Sequence, residues 1–162
     1  MTAVRKRFSI LFLLLGFTLS LFLSVGGAIA PLGLPVQAQI VRINEAAPLV
    51  YQQIPSLPLE NRYISKKTGK VDEKSTLVAR LIRYHAFVKG RPIQYRLDWK
   101  LTLADYLQVN DFIEPGTYPG GETLRENPLE RDRTVIKSLT RLQRDQLVQV
   151  LVNLLQGDRR PS

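Results

Sequence analysis

His85 is the one histidine in the chain and cysteine is absent, so nucleophilic and acid–base chemistry has few residues to draw on. An imidazole beside Asp98 or Asp105 would supply a general base oriented by a carboxylate, the minimum a hydrolase needs to activate water. The carboxylate pairs Asp98 with Asp105 and Asp111 with Glu114 would do acid–base work only if crowding or burial drew their proton affinities apart. Nothing in the sequence supplies that crowding, and Arg96, Lys100 and a helix start account for these acids. Metal ligation is equally short of donors, because one imidazole without thiolates needs carboxylates to complete a set. His85 therefore reads first as a hydrogen-bonded imidazole of the core or its rim. Gly120-Gly121 is no phosphate cradle, since no Gly-Lys-Ser/Thr follows and no strand leads into it. The expectation is no catalytic residue, no metal and no cofactor; the alternative is a hydrolase using His85 with Asp98 or Asp105.

Charge is the stronger signal. Lys and Arg number 23 against 14 Asp and Glu, a formal net charge of +9. Arg62, Lys66, Lys67, Lys70, Lys74, Arg80, Arg83, Lys89, Arg91, Arg96 and Lys100 crowd into one stretch opposed only by Asp72, Glu73 and Asp98. Such a stretch attracts an acidic protein face or an anionic lipid surface, and salt screens the attraction. The residues expected to make the contact are Lys66, Lys67, Lys70, Lys74, Arg80, Arg83, Lys89 and Arg91. Lysines and arginines that merely keep a small domain soluble would look the same. Trp99, with Tyr95 and Tyr106 close by, has the make-up of a binding platform as well as of an ordinary core.

These residues need a scaffold. Residues 39–60, with Pro48, Pro55 and Pro58, have the composition of an extended tether. Ser65 to Lys70 reads as a turn with Gly69 at a positive φ, flanked by Tyr63-Ile64 and Val71. A helix is expected from about Thr76 to Lys89, capped by Ser75 and stopped by Gly90 and Pro92. Its inner face holds Leu77, Val78, Leu81, Ile82, Tyr84, His85 and Val88, while Arg80 and Arg83 lie outside. Phe87 falls on the wrong side, as a contact residue or under a second element. Residues 95–103 alternate like a half-buried strand, yet Thr102 with Asp105 also offers a helix cap, and both readings stay open.

A long loop follows from Asn110 to Asn127, anchored by Phe112, Ile113 and Tyr118. Asn127-Pro128-Leu129-Glu130 opens a helix to about Ser138, with Leu129, Val135, Ile136 and Leu139 inward and Glu130 to Arg133 solvated. Thr140 and Gln143 open another to about Gln156, closed by Gly157, and its apolar run Leu147–Leu155 is wide enough for a central helix. The expected fold class is mainly α: a small single domain over 61–157 with a C-terminal helical pair and a tail at 158–162. The alternative is α+β, with a short hairpin and a strand at about 95–101.

Residues 1–38 look like an address. Arg5, Lys6 and Arg7 precede the uncharged stretch Phe8–Val25, and Val36 and Ala38 have the small-residue pattern of a peptidase site. Basic residues on the amino-terminal side keep that end in the cytoplasm, and export of the rest follows. Cleavage near Ala38 would release the domain in soluble form. An uncleaved segment 8–25 would anchor it as a single-span structural subunit. Export also argues against nucleic acid as a partner.

Leu81-Ile-Arg-Tyr-His-Ala-Phe-Val-Lys-Gly-Arg-Pro92 and Tyr95-Arg-Leu-Asp-Trp-Lys-Leu-Thr-Leu-Ala-Asp-Tyr-Leu107 resemble stretches of small exported proteins of cyanobacteria. The resemblance covers the middle third of the mature chain. It implies the thylakoid lumen or periplasm and an accessory part in assembling or maintaining a membrane complex, and it carries over no catalytic residue. The function expected is that of a non-enzymatic exported accessory protein turning a basic face to an acidic protein or an anionic membrane surface.

Overall fold

Helical periodicity wins wherever it competes with another pattern in this chain. The computed structural model describes the backbone of residues 36–156 and the side-chain surroundings of residues 45–156. It contains α1 (Val36–Gln53), α2 (Leu77–Arg83), α3 (Arg96–Tyr106), α4 (Leu129–Ser138) and α5 (Arg141–Gln156). A π-helical turn, Tyr84–Val88, continues α2 directly, and a 3-10 turn spans Pro115–Thr117. Among the described residues, extended pairing is confined to two isolated antiparallel bridges, Ile64 with Val71 and Ser65 with Leu124. The fold is mainly α and ends in the helical pair. The leader, the Gly157 stop and the tail lie outside the described residues. Within them, no helix is long and apolar enough to cross a membrane.

Helix α5 is the hub on which α1 and α3 both pack. It opens with a reciprocal cap: Thr140 N–H donates to Gln143 Oε1 at 2.8 Å and Gln143 N–H to Thr140 Oγ1 at 3.2 Å. That satisfies donors a helix start otherwise leaves without partners. Leu147, Val148, Val150, Leu151, Val152 and Leu155 are all buried, each worth ~1.5–3 kcal/mol relative to exposure.

Helix α1 replaces the extended tether expected over 39–60. Ala46, Ala47 and Val50 bury one face of it, and Ile54 and Leu57 carry the core past its end. Pro48 sits inside the helix on the exposed side. A proline there removes one backbone bond and costs ~3 kcal/mol, which burial of the opposite face against α2 and α5 outweighs. The globular domain thus starts well before residue 61.

Helix α3 covers the alternating stretch, and the strand alternative falls. Trp99, Thr102, Leu103 and Tyr106 recur at helical spacing and are buried, whereas Leu97, inward in a strand, is 69% exposed. Trp99 and Tyr106 are core residues and only Tyr95 faces solvent, so no aromatic platform forms. Tyr84, Tyr106 and Tyr118 cluster edge to face with centroids 5.6 to 6.1 Å apart.

Thr76, not Ser75, caps α2, its hydroxyl accepting from Ala79 N–H at 3.2 Å. In the π turn Lys89 N–H reaches back five residues to the Tyr84 carbonyl at 2.9 Å. The wider winding turns the following side chains outward. Val88, expected inside, is 38% exposed and Phe87 58%.

Candidate functional site

Both nitrogens of His85 are engaged. The Pro92 carbonyl can only accept, so Nε2–H donates to it across 3.1 Å and Nδ1 accepts from the Thr102 hydroxyl at 2.8 Å. The ring stacks on Trp99 at 3.6 Å and is fully buried. Burial, assisted by the nearby Arg91 charge, pushes its pKa down to about 4, so the imidazole is neutral at ordinary pH. Arg91 Nη1 donates to Thr102 Oγ1 at 2.9 Å and to Asp105 Oδ2 at 2.6 Å. Asp105 also accepts from the Tyr84 hydroxyl, Asn110 Nδ2 and the Asp111 N–H at 3.1, 2.7 and 3.1 Å.

The structure does bring His85 and Asp105 into one network, through Thr102 and Arg91, and leaves Asp98 out of it. Both side chains are sealed. A hydrolase needs water at its base, and this network holds the base in packing and the acid in four hydrogen bonds. Among the described residues, no three carboxylate or imidazole groups come together as a metal set.

A second buried network corrects the basic face. Arg80, expected to point outward, is fully buried and forks onto Asp132, with Nε to Oδ2 and Nη2 to Oδ1 both 2.6 Å. Its other donors reach the Ser75 carbonyl and, at 2.9 Å, the Glu60 carbonyl. The Tyr118 hydroxyl donates to Asp132 Oδ2 at 2.5 Å and accepts from Tyr106 at 2.9 Å. Burial pushes the Asp132 carboxyl up while Arg80 and Tyr118 hold it down. Asp132 and Arg133, expected on the solvated side of α4, are buried. The helical wheel carried a hint, because Arg80 lies only about 60° from Leu77 and about 40° from Tyr84.

The remaining cations sort into two groups. Lys89 pairs with Asp111 and Arg91 with Asp105, so these two expected contact residues serve the fold instead. Arg96 and Lys100 share Asp145 at 3.7 and 3.3 Å. Lys66, Lys67, Lys70, Lys74 and Arg83 are exposed and make no ion pair among the described residues.

Four of these five lysines and arginines sit on or beside one turn. Ser65 N–H donates to the Lys70 carbonyl and Gly69 N–H to the Ser65 carbonyl, both at 2.9 Å. Gly69 has φ +67, a left-handed value that favours glycine. The turn docks on a second segment: Lys66 N–H donates to the Thr123 carbonyl and Arg125 N–H to the Ile64 carbonyl, each 2.9 Å. A Cβ on Gly69 would lie 3.8 Å from Arg125 Nη2, so that guanidinium rests against the turn beside Lys66, Lys67 and Lys70.

Next to the turn is a groove of about 900 Å³, walled by Pro58–Ile64 on one side and Arg125, Glu126 and Arg131 on the other. Glu60 stands at its floor with φ 46, a strained left-handed backbone. The Glu60 carbonyl is held by Arg80, and its carboxylate lies 3.3 Å from Arg131 Nε through either oxygen. The side chains of Arg62 and Arg125 and the Tyr63 hydroxyl make no hydrogen bond among the described residues. The Tyr63 ring lies 5.1 Å from the Arg80 guanidinium.

Arg125, Arg131 and Glu60 escape a sequence reading because they lie outside the basic stretch, and only tertiary contact brings them beside it. The chain matches no protein-family model, no curated protein and no solved structure, so function has to be argued from these side chains.

Proposed function

We propose that this chain is a non-enzymatic accessory protein, exported across a membrane, that docks through its basic turn on an acidic face of a partner protein and helps assemble or maintain a membrane complex. One observation carries the docking half. The fold uses Arg80, Lys89, Arg91, Arg96 and Lys100 in ion pairs of its own, yet leaves Lys66, Lys67, Lys70 and Arg125 exposed together on one docked turn. Cations kept free at one place raise the rate of encounter with an acidic surface. A protein face is favoured over lipid because the patch borders a concave groove, and arginine forks match fixed carboxylates better than a plane of mobile head groups. The basic start and apolar run of residues 1–38 support export, and the resemblance supports the thylakoid lumen or periplasm.

The test compares the tagged chain with its Lys66→Glu/Lys67→Glu/Lys70→Glu variant at low and high salt. The wild-type chain should retain an acidic protein of the same compartment at low salt, release it at high salt and lose it in the variant. Equal retention by both chains overturns the docking assignment. So does salt-sensitive binding to phosphatidylglycerol vesicles with no protein retained. Fractionation checks export, which a purely cytosolic pool would refute.

A further inference from the structure

We infer that the groove beside the turn is a cleft for the carboxylates of an extended acidic peptide segment, with Glu60 holding the place of one ligand carboxylate on Arg131. This rests on the docking function proposed above and names what the docking partner inserts. Volume comes first: about 900 Å³ takes a segment of several residues, and a lone inorganic anion would leave most of it to water.

Chemistry comes next. Arg62, Arg125 and Arg131 line the groove, and their planar forks are the donors best matched to carboxylate geometry. The backbone N–H and C=O of Asn61 and Arg62 have no partner among the described residues. A peptide laid along this wall can bond to them as an added strand does at a sheet edge.

Glu60 shows that the site accepts a carboxylate. Its two oxygens are equidistant from a single nitrogen, Arg131 Nε, at 3.3 Å, which is a loose contact rather than a two-pronged fork. The Arg131 side chain is 64% exposed while that of Glu60 is 17% exposed. The guanidinium is thus reachable by an incoming acid, and the resident acid is fixed from below by the bond between its carbonyl and Arg80. Glu60 acts as a built-in competitor that keeps the cleft weak until a multivalent acidic segment displaces it.

Fluorescein-labelled hexaglutamate and the full-length chain test this by anisotropy at low salt. Glu60→Gln should tighten binding by ~3–5-fold, the scale of a partly exposed ion pair. Arg62→Ala with Arg125→Ala should weaken it by at least ~10-fold, as loss of charge-assisted bonds does. Both arginines are exposed and unbonded, so an unchanged circular dichroism melt is expected. Unaltered or weaker binding by Glu60→Gln overturns the cleft, as does displacement of the peptide by equimolar inorganic phosphate. If Lys66→Ala/Lys67→Ala/Lys70→Ala abolishes binding while the groove variants do not, the cleft fails and the docking turn stands. If neither set matters, both fail.

Discussion

An imidazole that donates to Pro92 and accepts from Thr102 has nothing to gain from a second proton. The unfolded chain takes one up below about pH 6.5, whereas folded His85 does so only near a pKa of about 4. Its contribution is therefore fully present above 6.5 and drains away as pH falls toward 4, by about 3 kcal/mol. Urea unfolding at pH 7.5, 5.5 and 4.5 should show this slope, and His85→Gln should flatten it between 6.5 and 4.5. The Arg80–Asp132 fork makes a different demand. Asp132→Asn or Arg80→Met strands a buried partner and should each cost ~3–5 kcal/mol, while the double variant costs less than their sum. That His85 sits on an apolar face was legible from spacing alone. The burial of Arg80 was not, because its partner lies 52 residues away in the chain.

Elements whose signals are local could be read in advance. The α5 cap needs only Thr140 and Gln143, and the turn at Gly69 needs one left-handed residue. Helix α3 was ambiguous because Trp99, Leu101 and Leu103 satisfy period two while Trp99, Leu103 and Tyr106 satisfy the helix, and burial against α5 chose the latter. Helix α1 was missed because three prolines signal locally, whereas its reason to fold is the remote face that receives Ala46, Ala47 and Val50. A chain starting at Gln39 should accordingly unfold in one cooperative transition, and a chain starting at Ile54 should lose that cooperativity by circular dichroism. Tyr51 ties α1 to α2 in detail: its hydroxyl donates to the Pro58 carbonyl at 3.3 Å and accepts from Val78 N–H at 3.2 Å. Tyr51→Phe leaves that N–H without its partner and should cost ~1–2 kcal/mol in denaturant unfolding.

Across the whole molecule the fold sorts cations by use. Those at 80, 89, 91, 96 and 100 bind carboxylates within the domain, so the exported charge concentrates at one turn. Buried pairs are screened far less than exposed ones. Raising salt should thus leave the melting temperature nearly unchanged while it abolishes binding at the turn, and scanning calorimetry beside anisotropy would show the two responses part. The basic stretch was visible in the sequence as a single block, but which half of it stays free depends on Asp105, Asp111, Asp132 and Asp145, placed by other helices. One more feature governs how this chain can change over generations. The π turn at Tyr84–Val88 holds one residue more than ordinary winding would, so deleting Ala86 restores the tighter pitch and swings everything after it by about 100°. Lys89 and Arg91 then face away from their acids, which makes this segment intolerant of in-frame indels even where single-letter substitutions at Phe87 are harmless.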